Sequence, residues 1–175
     1  MRKTLALSVG RALAGDLELL RQALEGSAEL ANALGVGVAE NWAEARADSL
    51  RYTLAKLAAD EDEANWGMYF VLHGPDNKLI GSGGYHGKPT AAGVVEIGYE
   101  VLSAYQHRGI ATDFARALVA NAFAEGQVAA VVAHTLAEAT ASTSVLLKNG
   151  FERVAETTDP TDGRLWQWEL KRPGT

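Results

Sequence analysis

Gln106, Arg108, Gly109 and Thr112 lie within the short stretch QHRGIAT at 106–112, directly after the strand-like run VVEIGYEVL. A glycine among basic and polar residues, where a strand hands over to a helix, is suited to holding an anion. The first backbone N–H groups of a helix have no intrahelical partner and sit at the positive end of its dipole. Gly109 has no side chain to keep a phosphate from that backbone, Ala111 has little, and Arg108 adds a fixed positive charge. The chemistry on offer is binding of a pyrophosphate, mostly by main chain. In the preceding run, Glu96 and Glu100 fall on one face by strict alternation, opposite Val95, Ile97, Tyr99 and Val101. A carboxylate on the strand that leads to an anion site is a candidate general base. Glu96 is the first choice, with Glu100 and the near-neutral titrating His86 behind it.

Other chemistries fail on residue type or spacing. The chain has no cysteine, which removes disulfides, thiolate nucleophiles and cysteine-based zinc sites. No G-x-S-x-G nucleophile elbow occurs, and the four histidines show no paired metal-ligand spacing. The acidic run DEDE at 60–63 reads as a solvated connection, so no metal is expected. The glycine cluster GSGGYHGKPT is no phosphate loop: Ser82 and Pro89 break the P-loop pattern, and His86 breaks the dinucleotide fingerprint. It reads as a hairpin that another backbone or a ligand can approach. A net charge of −6 argues against direct nucleic-acid binding while leaving cationic partners open. The basic N-terminal start has too short an apolar run for a secretory signal and reads as an edge strand. No stretch reaches the roughly 20 apolar residues of a membrane span, and the composition is compatible with a cytoplasmic protein.

The elements that must position these residues follow from periodicity. Up to residue 65 the pattern is mainly helical, with Asp16 as an N-cap before Leu17, Leu20 and Leu24, and a second helix over about 40–59. From Trp66 the period changes: strands at 66–73, 78–87 and 94–102 form an antiparallel meander. A helix follows over 112–125, then a strand at 127–136 buried on both faces, a short helix ending at Gly150, and a closing hairpin around DPTDG. This order predicts an α+β fold with a single mixed, mostly antiparallel sheet flanked by helices, in one domain over 1–175. The helical third at 10–62 shapes a substrate pocket, and 66–172 forms the core. Trp166 and Trp168, alternating in the last strand, offer an aromatic face for a homodimer.

The two motifs together resemble the GNAT superfamily of acetyl-CoA-dependent N-acetyltransferases. Gln106, Gly109 and Ala111 match its Q/R-x-x-G-x-G/A loop, and ASTSVLLKNGF is similar to its N-x-x-S-x-x-V/L-x-x-K-x-G-F signature through Ser142, Lys148, Gly150 and Phe151. The resemblance is greatest to the branch that includes ribosomal-protein and small-substrate N-acetyltransferases. It implies acetyl-CoA as cosubstrate and direct attack by a primary amine, whether a protein N-terminus, an amino acid, a polyamine or an aminoglycoside-type drug. It further implies that Val101 and Leu102 pair with the pantetheine arm through their backbones. The pyrophosphate then rests on Gln106, His107, Arg108, Gly109, Ile110, Ala111 and Thr112, with Ala139, Ser142 and Lys148 nearby. Three positions depart from the pattern: Ala111 for the second glycine, Ala139 for asparagine, and Leu146 where many members carry a tyrosine acid. Ser142 then becomes the expected proton donor to the departing thiolate. The alternative implied by these departures is a domain that binds acyl-CoA without catalysis.

Overall fold

The computed structural model describes residues 1–174. Eight strands form one sheet: β1 Thr4–Leu7, β2 Gly10–Ala14, β3 Met68–His73, β4 Lys78–Tyr85, β5 Val94–Val101, β6 Ala130–Leu136, β7 Glu152–Asp159 and β8 Gly163–Lys171. Their order is β1-β2-β3-β4-β5-β6-β8-β7, and every neighbouring pair is antiparallel except β5 with β6. The mixed, mostly antiparallel sheet expected from sequence is therefore present.

Five α-helices cover it. α1 (Leu17–Glu25), α2 (Ser27–Leu34) and α3 (Ala47–Ala59) lie on one face, where Leu19, Leu20, Leu30 and Leu50 pack onto Phe70, Leu72 and Leu79. On the other face, α4 (Ile110–Ala124) and α5 (Ala141–Lys148) bring Phe114, Leu118 and Leu146 onto Val95, Ile97, Val131 and Trp168. Strand alternation supplies both surfaces at once, because successive side chains point to opposite faces. β5 follows it, with Val95, Ile97 and Val101 buried and Glu96, Gly98 and Glu100 on the side of α3.

Several expectations are corrected. The N-terminal third is not simply helical: β1 is the expected edge strand, but β2 joins it to the meander. The alanines of β2 favour a helix locally, and the sheet edge offered by β3 overrides that preference. α2 was not anticipated, and the second expected helix starts only at Ala47, after a 3₁₀ turn over Glu44–Arg46. Glu63, read as solvated, is 7% exposed; it accepts the Lys88 backbone N–H at 2.9 Å and faces the Lys56 ammonium at 3.6 Å. β6 is buried on both faces over Ala130–Ala133 as expected, but its end is not, since His134 and Leu136 are exposed. The glycines of β4 serve backbone approach: a Cβ on Gly81 would lie 2.4 Å from the Glu100 carbonyl oxygen.

The tryptophans share a face, with ring centroids 6.2 Å apart, but that face is the one under α4 and α5. Trp168 is 4% exposed, its indole N–H donates to Thr135 Oγ1 at 2.9 Å, and the Arg153 guanidinium covers Trp166. The homodimer expectation loses their support.

Candidate active site

β5 and β6 pair over three rungs only, Val94 with Ala130, Val95 with Val131 and Glu96 with Val132. Beyond Glu96, β5 continues to Val101 against β4 alone, and β6 continues to Leu136 against β8 alone. The strands part and leave a wedge in the middle of the sheet. Two bonds fix which backbone groups line it: Leu102 N–H donates to Ile80 O at 2.8 Å and His86 N–H to Glu96 O at 3.0 Å. Even-numbered residues of β5 therefore bond to β4. Tyr99 and Val101 turn their N–H and C=O groups toward the wedge, whereas the Ile97 N–H closes the last rung with β6. Leu102 is thus not an edge residue, which corrects the expected pair; Tyr99 and Val101 are. The Gln106 amide donates to Val101 O at 2.9 Å, so this side chain ties the loop to the strand.

At the mouth of the wedge, α4 begins. Gly109 is its N-cap at φ 79°, no side chain caps the helix, and a Cβ there would meet nothing within 4 Å. His107 also has a left-handed backbone, φ 62°. Uncapped N–H groups above open space, approached by a residue without a side chain, suit a phosphate group. Arg108 lies exposed, its guanidinium 5.0 Å from the Tyr105 ring centre. Ile110 is buried as an anchor, while Ala111 and Thr112 are half-buried in the first turn. The turn is also tied to α5: Asn149 Nδ2 donates to Thr112 O at 3.1 Å and to Val145 O at 3.0 Å. Lys148 is exposed at the end of α5, and Ala139 is exposed just before the Thr140–Thr143 capping box that starts it.

Polar side chains gather on both sides of the wedge. On the α5 side, Tyr99 Oη donates to Ser142 O at 3.0 Å, and Ser142 Oγ reaches Tyr99 Oη at 3.3 Å. Burial pushes the Tyr99 phenol above its ordinary value, with Ser142 partly offsetting this. On the α3 side, Glu96 sits at the last rung between two imidazoles. His134 Nδ1 lies 2.5 Å from Glu96 Oε1, and His86 Nδ1 pairs with Glu96 Oε2. Burial pushes the Glu96 carboxyl upward, but the His86 hydrogen bond and the charges of both histidines outweigh it, and its pKa is lowered. Beside this cluster a cavity of about 830 Å³ opens between α3 and the strands β4 and β5. Glu100 faces it, held by Arg46 and by Ser82 Oγ at 3.2 Å.

Residues 11–152 match the family described as the acetyltransferase (GNAT) domain. The chain belongs to the GNAT acetyltransferase family. No curated protein sequence matches it. Among solved structures it is similar to the ribosomal-protein-S5-alanine acetyltransferase of Vibrio fischeri, with TM-score 0.72 and 12% identity over 98% of both chains. It is also similar to RimL, a ribosomal L7/L12 α-N-protein acetyltransferase solved with coenzyme A, with TM-score 0.70 and 15% identity over 97% of this chain and 98% of that one. RimJ of Mycobacterium smegmatis, solved with a CoA-disulfide, gives TM-score 0.67 and 16% identity over 97% of this chain and 86% of that one. At such identities these likenesses establish the fold. The family match makes the protein an acyltransferase.

The structure thus gathers the expected loop residues 106–112 at the start of α4, with Ser142 and Glu96 flanking the wedge from opposite faces. Sequence reasoning missed Tyr99 and His134. Tyr99 was counted only as one residue of the apolar alternation, and its phenol was the available signal. Nothing local marks His134, which meets Glu96 only through the β5–β6 crossover. Among the described residues no group of histidines and carboxylates is arranged to hold a metal, and no helix is long and apolar enough to cross a membrane.

Proposed function

We propose that the protein transfers the acetyl group of acetyl-CoA to a primary amine by direct attack on the thioester. The observation that carries this is the wedge between β5 and β6, with the uncapped start of α4 at its mouth. The backbone groups of Tyr99 and the N–H of Val101 suit the amide-bearing pantetheine arm, which lies there as an added strand, and residues 106–112 take the pyrophosphate. Lys148 and Ala139 stand near that path. A chain without cysteine fits a route with no acyl-enzyme thioester.

The two faces of the sheet divide the proton work. The amine enters from the cavity beside α3, whose size suits a small amine or the end of a peptide. Its proton goes to the cluster around Glu96. On the α5 face, the Ser142 hydroxyl, which donates to Tyr99 Oη in the free protein, turns its hydrogen to the sulfur as the C–S bond breaks. Tyr99 supplies the hydroxyl that Leu146 lacks, which favours catalysis over a binding-only domain. The activities of the structural neighbours named as ribosomal-protein acetyltransferases support a protein N-terminus as one acceptor class.

The test is a thermal-shift series with acetyl-CoA and related nucleotides, followed by mass analysis of an amine panel. Linkage predicts about 2.7 kcal/mol of stabilisation at a hundredfold excess over Kd. A gain of one acetyl group on at least one primary amine or peptide N-terminus is expected. Unchanged melting across millimolar acetyl-CoA would sink the reading.

A further inference from the structure

We propose that the group that takes the amine's proton is His86, through its Nε2, and that Glu96 is a positioning residue that orients this imidazole. The inference rests on the acetyltransferase reading above and changes the atom at which the proton leaves. Both carboxylate oxygens of Glu96 are occupied, one by His86 Nδ1 and the other by His134 Nδ1. A carboxylate only accepts hydrogen bonds, so each Nδ1 carries its hydrogen, and the neutral form of each ring has its lone pair at Nε2. Each oxygen of the carboxylate is thus already engaged by an imidazole before an ammonium arrives.

The geometry chooses between the two imidazoles. His86 belongs to the wall of the cavity beside α3, and its side chain is 57% exposed. Its Nε2 would lie 3.1 Å from a Cβ built on Gly98. The ring therefore lies over the one position of β5 on that face that has no side chain, between Glu96 and Glu100 and next to the wedge. His134 stands on β6, across the wedge, and is not part of the cavity wall. Other charged or titratable groups lining this space are Glu100 of β5, which Arg46 holds, Tyr99 of β5, Tyr85 of β4, and Asp48 and Tyr52 of α3.

The step balances simply. The ammonium gives one proton to Nε2, and the freed lone pair forms the N–C bond at the thioester carbonyl. The C–S bond breaks with its electron pair on sulfur. The nitrogen sheds a second proton as the amide forms, and sulfur takes one up, so one proton in total passes to solvent.

The experiment compares His86→Asn, His134→Asn and Glu96→Gln with the intact protein, using an acceptor amine identified by mass gain. Folding and acetyl-CoA binding are checked by melting and calorimetry. His86→Asn is expected to lower kcat by roughly 10²–10⁴-fold with acetyl-CoA affinity unchanged, and the deficit should shrink as pH rises and more amine is already neutral. His134→Asn should stay within a few-fold of the intact protein, and Glu96→Gln should fall between the two. Glu96→Asp, which keeps the carboxylate, should recover part of the rate. Gly98→Ala, whose methyl group displaces the ring, should mimic His86→Asn in kcat. An intact protein that turns over while His86→Asn matches it at neutral pH overturns this assignment alone. So does a larger loss in His134→Asn. An intact protein that binds acetyl-CoA and acetylates no amine overturns the acetyltransferase reading, and this assignment with it.

Discussion

Gly109 concentrates the cofactor argument into one residue. At φ 79° any side chain is strained, at a cost of about 1–2 kcal/mol, and a branched one also fills the open space above the α4 N–H groups. Gly109→Val should therefore melt a few degrees lower yet remain folded, and it should lose at least tenfold in acetyl-CoA affinity by calorimetry. Unchanged affinity in the folded variant would place the pyrophosphate elsewhere. At this scale the sequence was informative wherever function rests on one residue's own properties. Gly109 and Ala111 declare themselves by missing side chains, and Glu96 by its place in an alternating strand. Partnerships were hidden. Glu96 and His134 stand 38 residues apart on strands that only the parallel crossover brings together, so no local pattern marks the pair.

Among the elements, α4 and α5 act as one unit because Asn149 bridges the end of α5 to the first turn of α4. Asn149→Ala leaves Thr112 O and Val145 O without that donor, at a cost of about 1–3 kcal/mol. Since the lost tie lies beside the anion loop, acetyl-CoA affinity should fall along with the melting temperature. A variant with lowered stability but wild-type affinity would show that the bridge only holds the helices together. The meander β3–β4–β5, helix α4 and the terminal hairpin were legible because each has a strong period bounded by turn residues. β2 and α2 were not. β2 is five residues with three small ones, and its strand character comes from pairing with β3, a tertiary cause that no window of sequence contains.

For the molecule as a whole, the Glu96 cluster links the proposed proton transfer to acid stability. The Glu96 carboxyl is depressed from its ordinary value of 4.5: burial alone would raise it, and the hydrogen bond from His86 and the charges of His86 and His134 reverse this. A depressed carboxyl contributes stability above its unfolded pKa, and that contribution is lost as pH falls through the lower folded value. Denaturant titrations should show the intact protein losing stability below about pH 4.5 more steeply than Glu96→Gln. Parallel slopes would deny the carboxylate this role. The three-rung junction of β5 and β6 has a different consequence, in the breathing of the free protein. It is a seam joining two half-sheets, β1 to β5 and β6 to β8, and under the proposed function the acetyl-CoA that enters it acts as a mortar between them. Along β5, amide protection should then alternate: Gly98 and Glu100, bonded to β4, slow in hydrogen exchange, Tyr99 and Val101 fast. Saturating coenzyme A should erase that alternation. Equal protection along β5 in the free protein would mean that the seam is already closed, and that the sheet does not need its substrate to become whole.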